Sequence, residues 1–197
     1  MDVLSVYDKI KLKGIKMKKS LIVYLVLSVM SFAYGYSKND LLLDYQNGQY
    51  QKVCSVWSEL IVAQERDENI FTAVGDACAR EDSINSLCNV IKYLVSTKEH
   101  RESGSYFATL VLQKKLIYQF MLDGISLKEL KLPRTDHLLS KVFEQLSAQN
   151  YVIDEDKNVI IQTPEIIYAI WLDESKPRKM YIDEMKDNKL VKRHWFL

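Results

Sequence analysis

Glycine and proline are scarce in this 197-residue chain, at 6 and 3 residues, and Gly48, Gly75, Gly104 and Gly124 each stand alone. No Gly-rich loop brings successive backbone amides to a phosphate, so nucleotide chemistry has no seat in the sequence. Cysteine is limited to Cys54, Cys78 and Cys88 without a CxxC pair, which leaves thiol oxidoreductase chemistry without a motif. The three histidines, His100, His137 and His194, lack the close spacing that presents two imidazoles to one metal. They read as solvated or capping side chains, and neither a metal nor a cofactor is assigned to the chain. Asp136 and His137 adjoin like a fragment of a triad, but no nucleophile elbow accompanies them, and Ser103-Gly104-Ser105 precedes a helix without the strand an elbow requires. No catalytic residue is assigned. A surplus of one charge is also missing, with 27 Lys and Arg against 26 Asp and Glu, so the footprint of nucleic-acid binding is absent.

What is present, 48% hydrophobic and 27% charged residues, is the makeup of an ordinary globular domain. The charges are unevenly placed. Lys9, Lys11, Lys13, Lys16, Lys18 and Lys19 precede the first long apolar run, opposed by Asp2 and Asp8; residues 36–197 keep 21 basic and 24 acidic side chains, a net charge of −3. Lys18-Lys19 followed by the run from Leu21 to Leu27 makes a basic n-region and an h-region, and Ala33-Tyr34-Gly35 supplies the small residues that a signal peptidase accepts. Residues 1–35 are therefore expected to be an export signal cleaved between Gly35 and Tyr36. Met17 followed by two lysines is by itself a complete start, which makes it the expected initiator. The alternative is an uncleaved signal anchored in the inner membrane, since the run approaches the lower limit of about 17 residues for a span. No cysteine follows the run closely, so lipid attachment has no acceptor. The expected product is a soluble protein of a bacterial-type periplasm, or a secreted one, that meets the membrane only through its signal peptide.

Residues 36–149 carry helical periodicity, interrupted by polar breaks at Gln46-Asn47-Gly48, Arg66 to Asn69, Arg80 to Ser83 and Asp123-Gly124. The segment Tyr50-x-x-Val53-Cys54-x-Val56-Trp57-x-x-Leu60-Ile61 recurs 34 residues later as Ile84-x-x-Leu87-Cys88-x-Val90-Ile91-x-x-Leu94-Val95, with seven positions matching in type. Phe107, Leu110, Leu116, Ile117 and Phe120 then mark a longer amphipathic helix, with Lys114-Lys115 expected on its wet side. After Pro133, Thr135 or Asp136 is expected to cap a further helix whose apolar face is Leu138, Leu139, Val142, Phe143 and Leu146. Beyond Asn150 the period changes. Tyr151–Ile153, Val159–Gln162, Ile166–Leu172, Lys179–Glu184 and Leu190–Phe196 read as strands separated by short polar turns. Connections this short force antiparallel neighbours, so residues 150–197 are expected to form a small meander packed on the helices. The fold class is α+β.

The 34-residue period resembles that of the tetratricopeptide repeat, a helix-turn-helix unit. Tyr45, Gly48, Tyr50 and Val53 look like that family's turn and second-helix pattern, and Gly75 and Ala79 like its first helix; the resemblance covers residues 40–96. The chain departs from it where Val53 and Leu87 replace a smaller residue. A weaker resemblance is to the disulfide-stapled Sel1-like repeat, whose Gly-rich loop is missing here. The repeat frame makes Cys54 and Cys88 equivalent positions in neighbouring units, on helices about 8 to 10 Å apart, too far for a bridge, whereas the helix carrying Cys78 lies between them. The resemblance thus implies a disulfide of Cys78 with Cys54 or with Cys88, which export to an oxidising compartment permits. All three as small core residues is the competing reading.

Repeats of this kind bury a shared core and leave a concave face for an extended protein or peptide partner. The expected function is accordingly an exported helical-repeat interaction or scaffold module, in which Tyr45, Tyr50 and Trp57 are core residues unless the groove face includes them. One alternative is an enzyme or ligand-binding accessory with a site between helices and sheet, collecting Asp136, His137 and the Tyr168–Trp171 strand; another is a structural envelope component. The basic and aromatic residues Lys189, Lys192, Arg193, His194 and Trp195 read as an edge strand with alternating faces. Intact-mass measurement on protein from the host's soluble envelope fraction is expected to give a chain starting at Tyr36 that gains two hydrogens on reduction; a cytosolic chain retaining the leader with free thiols refutes the export reading.

Overall fold

Three helices of the protein start where a side chain, Asp67, Thr97 or His137, takes up a free backbone N–H, and several turns fall where the chain adopts positive φ. The computed structural model describes residues 37–197; the expected export signal, the expected Gly35–Tyr36 cleavage and the expected start at Met17 lie outside the described residues. Helix α1 (Lys38–Gln46) ends at Asn47-Gly48, where Gly48 has φ +72°. The next helical segment is split at Val56 into α2 (Tyr50–Ser55) and α3 (Trp57–Val62), the Val56 N–H reaching back only three residues to the Val53 carbonyl. A single helix was expected there. Helix α4 (Glu68–Arg80) is capped by Asp67, which accepts from the Asn69 N–H at 3.1 Å. Helix α5 (Ile84–Val90) tightens into a 3₁₀ turn at Ile91–Tyr93. The two segments therefore loosen within one residue of the same point of the 34-residue period. Thr97 caps the long α6 (Lys98–Asp123), which closes on Gly124 at φ +69°. The cap of α7 (Leu138–Ser147) is His137, one residue beyond the pair expected from the sequence, because Thr135 instead binds Ser140.

Helices α1, α2, α4, α5 and α6 stack in sequence, each touching its successor, while α4 also touches α1 and α6. Their core is Leu41, Val53, Phe71, Val74, Leu87, Phe107 and Leu110. Gly75 sets the distance between α4 and α6: a Cβ there would lie 2.3 Å from Cε2 of the buried Phe107 ring. A disulfide joins Cys54 on α2 to Cys78 on α4, with Cα atoms 4.7 Å apart, and Cys88 is left exposed rather than packed in the core. Of the two pairings open from the sequence, the first is the one that forms.

Strands β1 (Val152–Ile153), β2 (Val159–Gln162), β3 (Ile167–Leu172), β4 (Met180–Lys186) and β5 (Lys189–Phe196) form one antiparallel sheet in sequential order. The β4–β5 turn is Asp187-Asn188, both at positive φ, the two-residue hairpin geometry whose twist matches the strands. Alternation holds along the sheet: Val159, Ile161, Tyr168, Ile170, Met180, Ile182, His194 and Phe196 are buried. Asp183, Arg193, Trp171 and Tyr181 share the opposite face, where Arg193 donates to both Asp183 oxygens at 2.7 and 2.8 Å and Trp171 stacks on Tyr181. The sheet joins the helices through Tyr118, whose hydroxyl donates to the Arg178 carbonyl at 2.9 Å, and through an edge-to-face contact of Phe120 with Tyr151. Residues Lys38–Leu197 make one compact unit. Among the described residues no helix is long and apolar enough to cross a membrane.

Lys114 departs from the expected pattern. It is only 2% exposed, while its neighbour Lys115 is on the surface, because its ammonium donates to the Asn85 side chain and the Leu197 carbonyl. Burial, with the adjacent Lys115 charge, pulls its pKa down to about 8.

Gly75→Ala is expected to destabilise the protein by about 1–3 kcal/mol, since overpacking outweighs the roughly 1 kcal/mol gain in helix propensity. Denaturant titration of Gly75→Ala, Phe107→Leu and the double variant checks it: the double variant should lose less than the sum of the singles, and strict additivity refutes the contact as the cause.

Candidate functional site

A concavity of about 740 Å³ lies between α1, α4 and α6. Helical spacing places Asn69, Thr72, Ala73 and Asp76 on one face of α4, and Glu99, His100, Glu102, Ser103 and Tyr106 face them from α6. Tyr45 at the end of α1 donates its hydroxyl to Asp76 at 2.6 Å, and Arg80, one turn on, holds the same carboxylate at 2.6 Å. At the other end Tyr106 donates to Asp136 at 2.9 Å. Both phenols are held well above their ordinary range, Tyr45 at about 12, by partial burial and by the carboxylate that each hydroxyl serves. His100 closes the far wall between Glu68 at 3.1 Å and the Asn69 side-chain oxygen at 3.3 Å. The lining holds four carboxylates, Asp76, Glu99, Glu102 and Asp136, and neither Lys nor Arg.

A second feature sits where the sheet meets the helices. His194, 5% exposed on the inner face of β5, is opposite Ile182 in the strand register. Its Nδ1 lies 2.7 Å from Asp82 in the α4–α5 turn and its Nε2 2.8 Å from Glu184 on β4. Both ring nitrogens face acceptors, and the imidazolium is the form that donates to both. His137 lies beside them, 3.9 Å from the other Asp82 oxygen. Its Nδ1 accepts from the Leu139 N–H at 3.1 Å to cap α7, and its Nε2 donates to the Ala79 carbonyl at 3.2 Å, so the cap uses the neutral ring. Burial pushes the His137 pKa below its ordinary 6.5, against the opposing pull of the Ala79 carbonyl and Asp82. A cavity of about 420 Å³ opens beside this network. Asp82, Glu184 and the two histidines already serve one another or the backbone, the exposed Lys141 and Lys192 also line the cavity, and among the described residues no set of His, Cys, Asp and Glu is placed to hold a metal ion.

The structure separates the neighbours Asp136 and His137, one turning into the groove and the other into the junction. Tyr168 is on the buried side of β3 and Trp171 on the outer side, so the Tyr168–Trp171 strand offers no single face to a site. Tyr45 belongs to the groove; Tyr50 packs edge-on against it beneath Arg80, and Trp57 is half-buried. The segment Lys98 to Glu102 reads in the sequence as a solvated first turn. In the structure it is the first turn of α6, yet Glu99, His100 and Glu102 wall the groove, a role visible only once α4 is placed opposite. Compared with family models, with curated proteins and with solved structures, the chain matches none.

The depressed His137 pKa has a sign. The unfolded chain takes up its proton first as pH falls, so the stability from the neutral cap is complete above about pH 6.5 and is lost as pH falls through the folded pKa. His137→Asn keeps a cap acceptor without a titrating ring, and its denaturation midpoint should fall less than the wild type's between about pH 7 and pH 5; equal slopes for the two proteins refute the assignment.

Proposed function

We propose that this protein is an exported interaction module, built on helical hairpins of the tetratricopeptide kind, which holds an extended segment of a partner protein in the groove between α1, α4 and α6. The observation that carries this reading is the groove itself: alternate helices of the stack line one open concavity of about 740 Å³, within the range of ligand sites, with polar groups spread along it rather than converging on one atom. Spread polar contacts along a curved helical surface suit a chain that is read at several points. The 34-residue repetition, the helical segments that loosen near Val56 and Ile91, and Gly75 packed against the Phe107 ring agree with the repeat reading. The Cys54–Cys78 disulfide ties α2 to α4 behind the groove and agrees with an oxidising compartment, where a bridge of this kind contributes roughly 2–4 kcal/mol. The junction network at His194 reads as a fastening of sheet to helices.

Selection from a displayed random-peptide library tests the reading. Binders should shift the amide resonances of Thr72, Ala73 and Ser103, and Ser103→Trp, which fills the groove from α6, should weaken them at least about tenfold with an unchanged thermal midpoint. Binders that leave those resonances still and tolerate Ser103→Trp refute it.

A further inference from the structure

We infer that the groove takes a cationic segment, one whose Lys or Arg side chains enter between the carboxylates of α4, α6 and the turn before α7; this rests on the groove being the binding surface. Four carboxylates line it, and the cations at its rim are committed or exposed. Arg80 is held on Asp76, and Lys98 makes a solvent-exposed pair with Glu102 at 3.7 Å. Glu99, Glu102 and Asp136 are exposed and stand on the groove wall, so an occupant that covers them removes their water and must replace it with positive charge or hydrogen-bond donors. An acidic or purely apolar occupant supplies neither.

The rest of the lining narrows the cation to an organic one. The rings of Tyr45, Tyr106 and Phe107 lie among the carboxylates, with Tyr45 and Tyr106 fixed by their bonds to Asp76 and Asp136. The phenol hydrogens are spent on those bonds, which leaves each phenol oxygen facing an entering group as an acceptor. Ring edges and faces beside carboxylates accommodate the methylene stem and the charged head of Lys or Arg together. A metal ion needs donors converging on one point, whereas these carboxylates are distributed over three elements, and no metal-holding group is present among the described residues. The acidic groove also fits the charge balance of residues 36–197, which is −3, and an attraction of this kind steers encounter with a basic partner.

Three acetylated decapeptides serve as probes: alternating Lys-Ser, Gln-Ser and Glu-Ser, titrated into the purified protein with spermidine as a separate arm. The Lys-Ser peptide should shift the Ala73, Ser103 and Tyr106 resonances and bind at least about tenfold more tightly than the other two. It should weaken about tenfold in Glu99→Gln/Glu102→Gln, and further as salt rises from about 20 to 150 mM. If the Gln-Ser or Glu-Ser peptide shifts the same resonances as strongly, the groove still binds peptides and the cationic assignment falls. If Lys-Ser binds but the double variant does not weaken it, the charge that attracts it lies elsewhere and the assignment also falls. Spermidine binding at the strength of the peptide overturns the assignment to a protein segment. No shift at the groove with any probe, together with library binders that map elsewhere, overturns the groove reading itself.

Discussion

The ring of Phe107 occupies the space where a side chain on residue 75 would stand, and most of the helical architecture depends on that contact. Because residue 75 is glycine, α4 and α6 approach closely enough for the ring to be buried between them. Around it α4 is lined with small residues, Ala77, Cys78 and Ala79, which let neighbours come near on its other sides. One of those sides carries the disulfide to α2; another faces the groove through Asp76; and the turn that follows α4 holds Asp82, to which the sheet is fastened through His194. A single central helix thus sets the spacing of the hairpins, the width of the groove and the seat of the sheet.

Charge is used in two different ways on the two sides of this helix. At the junction, the buried imidazole of His194 is satisfied by two carboxylates, and the buried ammonium of Lys114 is satisfied by an amide and a carbonyl oxygen. Burying a charge is tolerable when its hydrogen-bonding capacity is met, and such pairing also fixes which partners meet. In the groove the carboxylates stay in water and their bonds serve to orient two phenols. The first arrangement spends these groups on one another, and the second has acceptors facing outward.

The sheet's edge strand carries a break against pairing with another strand. Glu184 pairs with Lys192 and Met185 with Leu190, so Val191 is an extra residue that bulges the strand. A bulge with lysines on either side interrupts the row of backbone groups that another strand would need. The aromatic rings of the outer face are occupied by their own neighbours, with Arg193 over Trp171 and Lys179 over Trp195.

The α+β class, the five strands and their antiparallel order were legible in the sequence, because they rest on periodicity and on short-range chemistry that a local stretch carries in full. The cysteine pairing was narrowed to two by the repeat and decided by tertiary structure, since both options put Cys78 on the helix between. What the sequence could not show were features made by residues distant along the chain. Lys114 reads as a wet lysine until Asn85 and Leu197 are brought to its ammonium; His194 reads as an ordinary strand residue until Asp82, more than a hundred positions away, meets its ring. The acidic groove is likewise absent from any single helix, where Glu99 and Glu102 are surface charges and Asp76 one carboxylate among many. Helix and strand identity follow from the spacing of apolar residues along one segment, whereas a site is a property of the distances between segments, and those were fixed only when Gly75 let α6 settle against α4.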